Sequence, residues 1–441
     1  MNPELLRNLW LELTPRRMTM MVVVLALILL AVNTSPSIAR VGGAAQYLFY
    51  ALVVLWGTRD AAQSVVGEIR DRTWDFQRLS ALTPFEMTVG KLLGATSYVW
   101  FGGLICLAVV FVSDVLVDPS LAWRTLFHSL AVGLLAQAVA MFASLIAVRR
   151  RQTSTRFNVF LYQAAGAIAG LSGAEAWRSL NNDATHPMQW WGLEIDAQDF
   201  YLVSLALFLF WALIGCYRLM RLELQIENRP TVWLGFILFM AVYLAGLGRV
   251  PFVELQVLQA TTPLRLAVAS ATLAALTYMA VLFEPKDRVL YRWLGEMVRK
   301  GRTELAVSRL QCWMIAYAAT AISAIALAYQ VSGAESVRGT ILNAPMVLAG
   351  LGFLTRDLGI FLYFGLAPEQ KRGDMPAVVT LAVLYVLLPI LFRNGASPLA
   401  LIYPTPMSGL AGMAFAWIEA LAVWFLVVSV RGKQTAALSQ N

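Results

Sequence analysis

Charge is scarce in this chain: 14% of its 441 residues are Asp, Glu, Lys or Arg, against about 25% in a soluble domain. Histidine and cysteine are scarcer still, with two and three residues. His128 and His186 lie far apart, near the expected outer face, and no His/Cys/carboxylate cluster has metal-ligand spacing. Cys106, Cys216 and Cys312 fall in or beside apolar runs at unrelated spacings. They read as small buried hydrophobes, not as a disulfide framework. Gly-x-Ser-x-Gly is missing, and no Ser-His-Asp arrangement suggests itself. The phosphate-cradling Gly-x-x-x-x-Gly-Lys-Ser/Thr loop is missing too, since Gly90-Lys91 and Gly432-Lys433 lack its remainder. The expectation is therefore a protein that is not an enzyme, has no cofactor of its own and does not hydrolyse ATP alone.

What fills the chain instead is apolar sequence, 59% hydrophobic with a mean hydropathy of +0.66. The bilayer is its expected solvent, and the fold class an all-α polytopic membrane protein. About 12 runs can be marked as transmembrane helices, near 18–33, 43–60, 92–113, 123–148, 157–174, 200–219, 231–248, 263–283, 310–331, 341–367, 376–392 and 408–430. Lys and Arg gather in alternate loops: Arg7, Arg16 and Arg17; Arg149, Arg150, Arg151 and Arg156; Arg218, Arg221 and Arg229; then Lys286–Arg309; then Lys371 and Arg372. The 175–199 loop instead carries Glu175, Asp183, Glu194, Asp196 and Asp199 against Arg178 alone. The positive-inside rule places both termini in the cytoplasm. The net charge of +8 thus reads as an orientation signal, and nucleic acid is not an expected partner. Met18–Val32 with Ser37-Ile38-Ala39 could be read as a signal peptide. The helix preceding it favours an uncleaved first span.

Asn2 is placed to cap a helix with Pro3 in its first position. Leu5, Leu6, Leu9, Trp10 and Leu13 then share one face, with Arg7, Asn8 and Glu12 away from it, so 1–17 is expected to lie in the headgroup layer. A second amphipathic stretch, Asp287–Arg309, echoes it loosely, and Thr355-Arg356-Asp357 matches Thr58-Arg59-Asp60. These echoes imply a weak internal repeat in one of two registers. Either the chain is two six-span halves with 284–309 as a second docking segment, or 287–309 is a second interfacial helix and the last four spans mirror the first four. The paired Thr-Arg-Asp words lean to the latter.

Between the second and third runs stands a dense polar segment, Glu68 to Lys91. Glu68, Thr73-Trp74-Asp75, Pro84-Phe85-Glu86 and Gly90-Lys91-Leu92-Leu93 occur in it without a gap. The wording resembles the cytoplasmic segment linking spans two and three of ABC-2 type transporter permeases. Arg72 departs from the pattern, which has a small residue, usually Gly, before the Thr. The resemblance is specific over 68–94, supportive over 1–220 and thin beyond. It implies an interfacial helix at 1–17, a six-span core at 18–225 with a coupling segment at 61–91, a divergent second half at 226–431 and a cytoplasmic tail at 432–441. It implies a permease of the bacterial cytoplasmic (inner) membrane, expected in export. ATP and Mg would be bound by a separate cytoplasmic ABC ATP-binding subunit, and a second permease or a second copy of this chain is a further partner it admits. Short outer helices are implied between spans five and six, a position that 175–199 matches.

Read physically, Glu68, Asp71, Arg72, Asp75 and Arg78 alternate in charge, while Trp74, Leu79 and Leu82 recur at helical spacing. Such a helix can seat its apolar stripe in a partner's groove. Pro84 would break it, Glu86 would cap the approach to span three, and Lys91 would mark that span's end by snorkelling. Three ionisable residues fall inside apolar runs: Arg356, Asp357 and Glu419. Arg356 and Asp357 are adjacent and should point about 100° apart. Arg356 pairing with Glu419 would neutralise both; alternatively Glu419 lines a translocation path. Gly166-Ala-Ile-Ala-Gly170 reads as a close-packing face, and Trp190-Trp191 as an interfacial aromatic belt. Two other classes stay open: a proton-coupled carrier using Asp357 and Glu419, and a non-transporting membrane anchor for an ATPase assembly.

Overall fold

A computed structural model describes residues 2–32, 38–149, 156–182, 187–247, 262–284, 286, 288–333, 342–366, 374–391 and 409–438. The chain divides into two compact units, Met1–Met188 with Glu194–Asn228, and Gln189–Leu193 with Arg229–Asn441.

In the first unit Asn2 caps α1 (Pro3–Glu12), its Oδ1 accepting from the amides of Glu4 and Leu5. The spans that follow are α2 (Pro15–Val32) and one long helix made of α3 (Ile38–Phe49), a π-helical stretch Tyr50–Trp56 and α4 (Gly57–Arg70). The polar segment forms α5 (Trp74–Arg78) and α6 (Pro84–Val89), then π-helical Gly90–Gly94 leads into α7 (Ser97–Val115). The unit continues through α8 (Pro119–Arg149), α9 (Arg156–Asn182) and α10 (Ala197–Glu223).

Inside a membrane every backbone group needs a partner, and the π-helical stretch in the second span shows how this is met. Gln137 of α8 donates to the carbonyl of Val53 at 3.0 Å, and Gln163 of α9 to that of Leu55 at 2.9 Å. Trp100 of α7 holds Gln137 in place by donating to its Oε1 at 2.8 Å. Alpha9 approaches the same stretch closely. A Cβ on Gly166 would lie 2.4 Å from the carbonyl of Ala136, and one on Gly170 would lie 2.6 Å from Val54. The 166–170 face is thus a packing surface.

Gln189–Leu193 is the tip of a hairpin of β1 (Met188–Trp190) and β2 (Leu193–Ile195), turned by Trp191 and Gly192 in left-handed conformation. Where the resemblance implies short outer helices, the described residues between α9 and α10 form this hairpin. Trp190 and Trp191 donate to the carbonyls of Tyr243 and Val242, so their indoles close the end of a helix as well as being amphipathic.

The second unit runs through α11 (Thr231–Ala245), α12 (Thr262–Phe283), α13 (Arg288–Arg299), α14 (Thr303–Ser308), α15 (Cys312–Gly333) and α16 (Ala344–Leu366). It ends with α17 (Asp374–Ala382), π-helical Val383–Leu387, α18 (Leu388–Leu391) and α19 (Gly409–Leu438). Alpha12 packs chiefly on α15, and α16 on α19. A helix falls in each run marked in the sequence, but α9 is not among those long and apolar enough to cross a membrane. Nine helices among the described residues are long and apolar enough to do so, while Thr231–Ala245 and Met375–Ile390 are shorter. The protein is a multi-pass, all-α membrane protein.

The α13–α14 elbow follows the second helix of its unit, as α5–α6 follows the second span of the first.

Candidate functional site

The segment from Glu68 to Lys91 is held by a buried ion cluster that includes α1. Alpha4 ends in a Schellman arrangement: the Thr73 amide donates to the Glu68 carbonyl at 2.9 Å and the Arg72 amide to that of Ile69 at 3.2 Å. Arg72 consequently sits at φ 59°, a conformation that costs a side chain about 1 kcal/mol and glycine almost nothing. A glycine at this position would avoid that cost. Arg72→Gly is expected to stabilise the protein by about 0.5–1 kcal/mol, read as a higher midpoint of thermal unfolding in detergent; Arg72→Ala should leave it unchanged.

The Schellman turn places Glu68 over the start of the third span. One of its oxygens accepts from Arg7 at 2.9 Å and from Gln77; the other accepts from Lys91. Glu4 of α1 accepts from the same Lys91 at 3.3 Å, from Arg7 at 2.9 Å and from Asn8 at 3.3 Å. Lys91 is 1% exposed and Glu4 3%, and the ammonium lies 5.3 Å from the centre of the Trp74 ring. Two carboxylates and two cations balance. Lys91 therefore does not snorkel. Its ammonium is buried between Glu68 and Glu4, which reaches it from α1, while Arg7 stays exposed at the rim.

Gly90 makes this approach possible, since a Cβ there would lie 2.7 Å from the Cβ of Glu4 and 3.0 Å from the Leu5 amide nitrogen. Asn8 donates to the Gly90 carbonyl at 3.1 Å and Asn2 to the Glu86 carbonyl at 2.7 Å. The Gly90-Lys91 word thus encodes a dock for α1. Alpha1 turns its Glu4–Asn8 stripe inward and leaves Trp10 and Leu11 exposed.

Trp74 corrects a second expectation. It is 5% exposed, packed with Ala61, Val65, Met87 and Met141, so it anchors the segment instead of offering a surface. The outward side chains are Phe76 (77% exposed), Leu79 (86%) and Phe85. Asp71 and Asp75 are also exposed, beside Arg70 and Arg78. Pro84 opens α6 behind a capping box in which Thr83 and Glu86 bond each other's amides. The Thr83 amide and hydroxyl both donate to the Glu86 carboxylate, at 2.9 and 2.8 Å, and hold it below its ordinary range. An open cleft of about 440 Å³ lies between α1 and this segment, lined by Pro3, Glu4, Arg7, Ser80, Leu82 and Glu86 among others.

The second unit carries a separate polar network in the middle of α16. Arg356 donates through Nε to Asp357 at 2.9 Å, through one terminal nitrogen to Glu419 at 2.6 Å, and through the other to the Tyr385 hydroxyl at 3.0 Å. Asp357 also accepts from the hydroxyls of Tyr278 at 2.7 Å and Tyr385 at 2.6 Å. Arg356 and Asp357 do meet: their Cβ atoms diverge, but the guanidinium is long enough to fold back onto its neighbour. Asp357 is fully buried, whereas the Glu419 side chain is 34% exposed and takes one hydrogen bond. Tyr278 and Tyr385 carried no signal in the sequence, where a tyrosine in an apolar run resembles any packing residue.

His128 is buried, stacked at 4.9 Å on Trp177 and 3.3 Å from the Tyr50 hydroxyl. No group of three His, Cys, Asp or Glu residues suited to a metal ion occurs among the described residues. Comparison with family models, curated proteins and solved structures finds no match to this chain.

Proposed function

We propose that this chain is the membrane-spanning permease subunit of an ABC-2-like exporter, driven by separate ATP-binding subunits that dock on its cytoplasmic face. The family wording of 68–94 supports this reading. The observation that carries it is mechanical: Phe76, Leu79 and Phe85 project from a segment locked to α1, α4 and the start of α7 through Lys91. A push on those side chains is delivered to two spans and the N-terminal helix together. In this reading the protein lies in the bacterial cytoplasmic membrane with both termini inside, and ATP closure drives alternating access.

The test is a double variant, Phe76→Asp with Leu79→Asp. Both side chains face outward, so folding should be intact while a co-purifying ATP-binding subunit is lost, a drop of tenfold or more in recovered ATPase. Undiminished, stoichiometric ATPase on the folded variant would sink this docking surface. Trp74 and Glu68 are poor probes, since both help hold the segment together.

One observation favours a second reading, a proton-coupled carrier: among the described residues the α16 network sets two carboxylates against one guanidinium in mid-span. Transport that persists without ATP hydrolysis but collapses with the proton gradient would select it.

A further inference from the structure

We propose that the α13–α14 elbow is a binding surface for anionic phospholipid headgroups, and not a second copy of the 68–91 dock. The proposed surface lies wholly in the second unit, and the docking reading of 68–91 enters only as its contrast.

The elbow is fixed at both ends. Glu284, just past the end of α12, accepts from the amides of Cys312 and Trp313 at the start of α15, at 3.0 and 3.3 Å. Its inner face is fixed as well. Tyr291 donates to Gln311, Trp313 donates to the same oxygen at 2.7 Å, and Tyr291 and Leu294 are buried. The remaining face of α13 is therefore held outward, and it is basic. Arg292, Arg299 and Arg302 are exposed, and their side chains enter no ion pair or hydrogen bond among the described residues. Lys300 is exposed beside Glu296, and Arg309 lies 5.0 Å above the Trp293 ring.

Charge decides the occupant. Glu68 to Lys91 holds four acidic residues (Glu68, Asp71, Asp75, Glu86) and four basic ones (Arg70, Arg72, Arg78, Lys91), the mixture that sets register against a protein. From Val289 to Arg309 there are five basic residues, Arg292, Arg299, Lys300, Arg302 and Arg309, against Glu296 and Glu304. Span-length helices enter and leave the elbow, so the chain keeps it close to the headgroup layer. Phosphodiesters are the anions present there, and a guanidinium binds a phosphate through two parallel donors. Clusters of this size beside a span are attracted to anionic membrane surfaces.

The protein in neutral detergent would be titrated with phosphatidylglycerol or phosphatidylcholine while its thermal unfolding midpoint is followed. Phosphatidylglycerol is expected to raise the midpoint and phosphatidylcholine to leave it in place. In Arg292→Gln/Arg299→Gln/Arg302→Gln the lipid needed for half the effect should rise about tenfold or more, with the lipid-free midpoint unchanged. The matching triple Arg-to-Lys variant should keep most of the response, and Arg70→Gln/Arg72→Gln all of it. If the triple Gln variant fails to fold, the single Arg302→Gln variant is expected to show a smaller shift in the same direction. An unshifted lipid response in the Gln variants overturns the proposal. So does an equal response to inorganic phosphate, or loss of a co-purifying ATPase with the lipid response intact; the last would assign the elbow to a protein partner.

Discussion

Lys91→Ala is expected to destabilise the first unit by about 3 kcal/mol or more, the scale for removing one partner from a buried ion pair. The variant strands Glu4, buried at the first turn of α1, and leaves Glu68 with Arg7 and Gln77 only. Arg7 still reaches both carboxylates, which sets the expectation at the low end of the usual 3–5 kcal/mol range. Two readouts apply: a lower midpoint of thermal unfolding, and faster proteolysis between α1 and α2, because α1 loses the contact that draws it onto Gly90. Lys91→Met combined with Glu4→Gln should recover much of the loss. Replacing a buried charge pair by neutral groups of similar shape is far cheaper than breaking it. Equal midpoints for wild type and Lys91→Ala would mean that the cluster does not hold α1. If the cluster does transmit motion, Lys91→Ala should also uncouple ATPase activity from transport at a temperature where the protein remains folded.

The helical, membrane-embedded character was legible because hydrophobicity over about 20 residues is a local signal. The 68–91 segment was legible because charges between two spans need a reason. Its facing was not. Trp74, Leu79 and Leu82 share a stripe only if one helix continues through them, and the chain instead stops α5 at Arg78 and starts α6 at Pro84. Within α5 itself Phe76 lies about 200° and Leu79 about 140° from Trp74, so burying Trp74 leaves Phe76 and Leu79 outside. Glu4 was invisible as a partner for Lys91 because 87 positions separate them and no local rule joins them. Arg356 with Glu419 was foreseeable at a similar distance, since an ion in an apolar run has few partners to choose from. Arg72 was legible as a departure, and only the backbone gave the departure a cost.

Arg356→Ala is the second change expected to have a large effect, about 3–5 kcal/mol in the second unit. Asp357 accepts from Arg356 Nε and from two tyrosine hydroxyls, so losing the guanidinium leaves a fully buried carboxylate on hydroxyl donors alone. Arg356→Lys should recover part of this: an ammonium keeps the charge but cannot reach Asp357, Glu419 and Tyr385 together in the planar fork that the present distances require. Glu419→Gln separates structure from transport. Its amide oxygen can still accept from Arg356, and the change brings Arg356 and Asp357 into balance, so the unfolding midpoint should hold or rise. If the network only braces α16 against α19, transport by Glu419→Gln will match wild type. A tenfold loss of transport at an unchanged midpoint would instead assign the exposed carboxylate to the moving ion or cargo. Dependence of that loss on the proton gradient then decides between the two driving forces. Glu419 is the residue to test because, among the described residues of the network, its carboxyl is the one that is partly exposed.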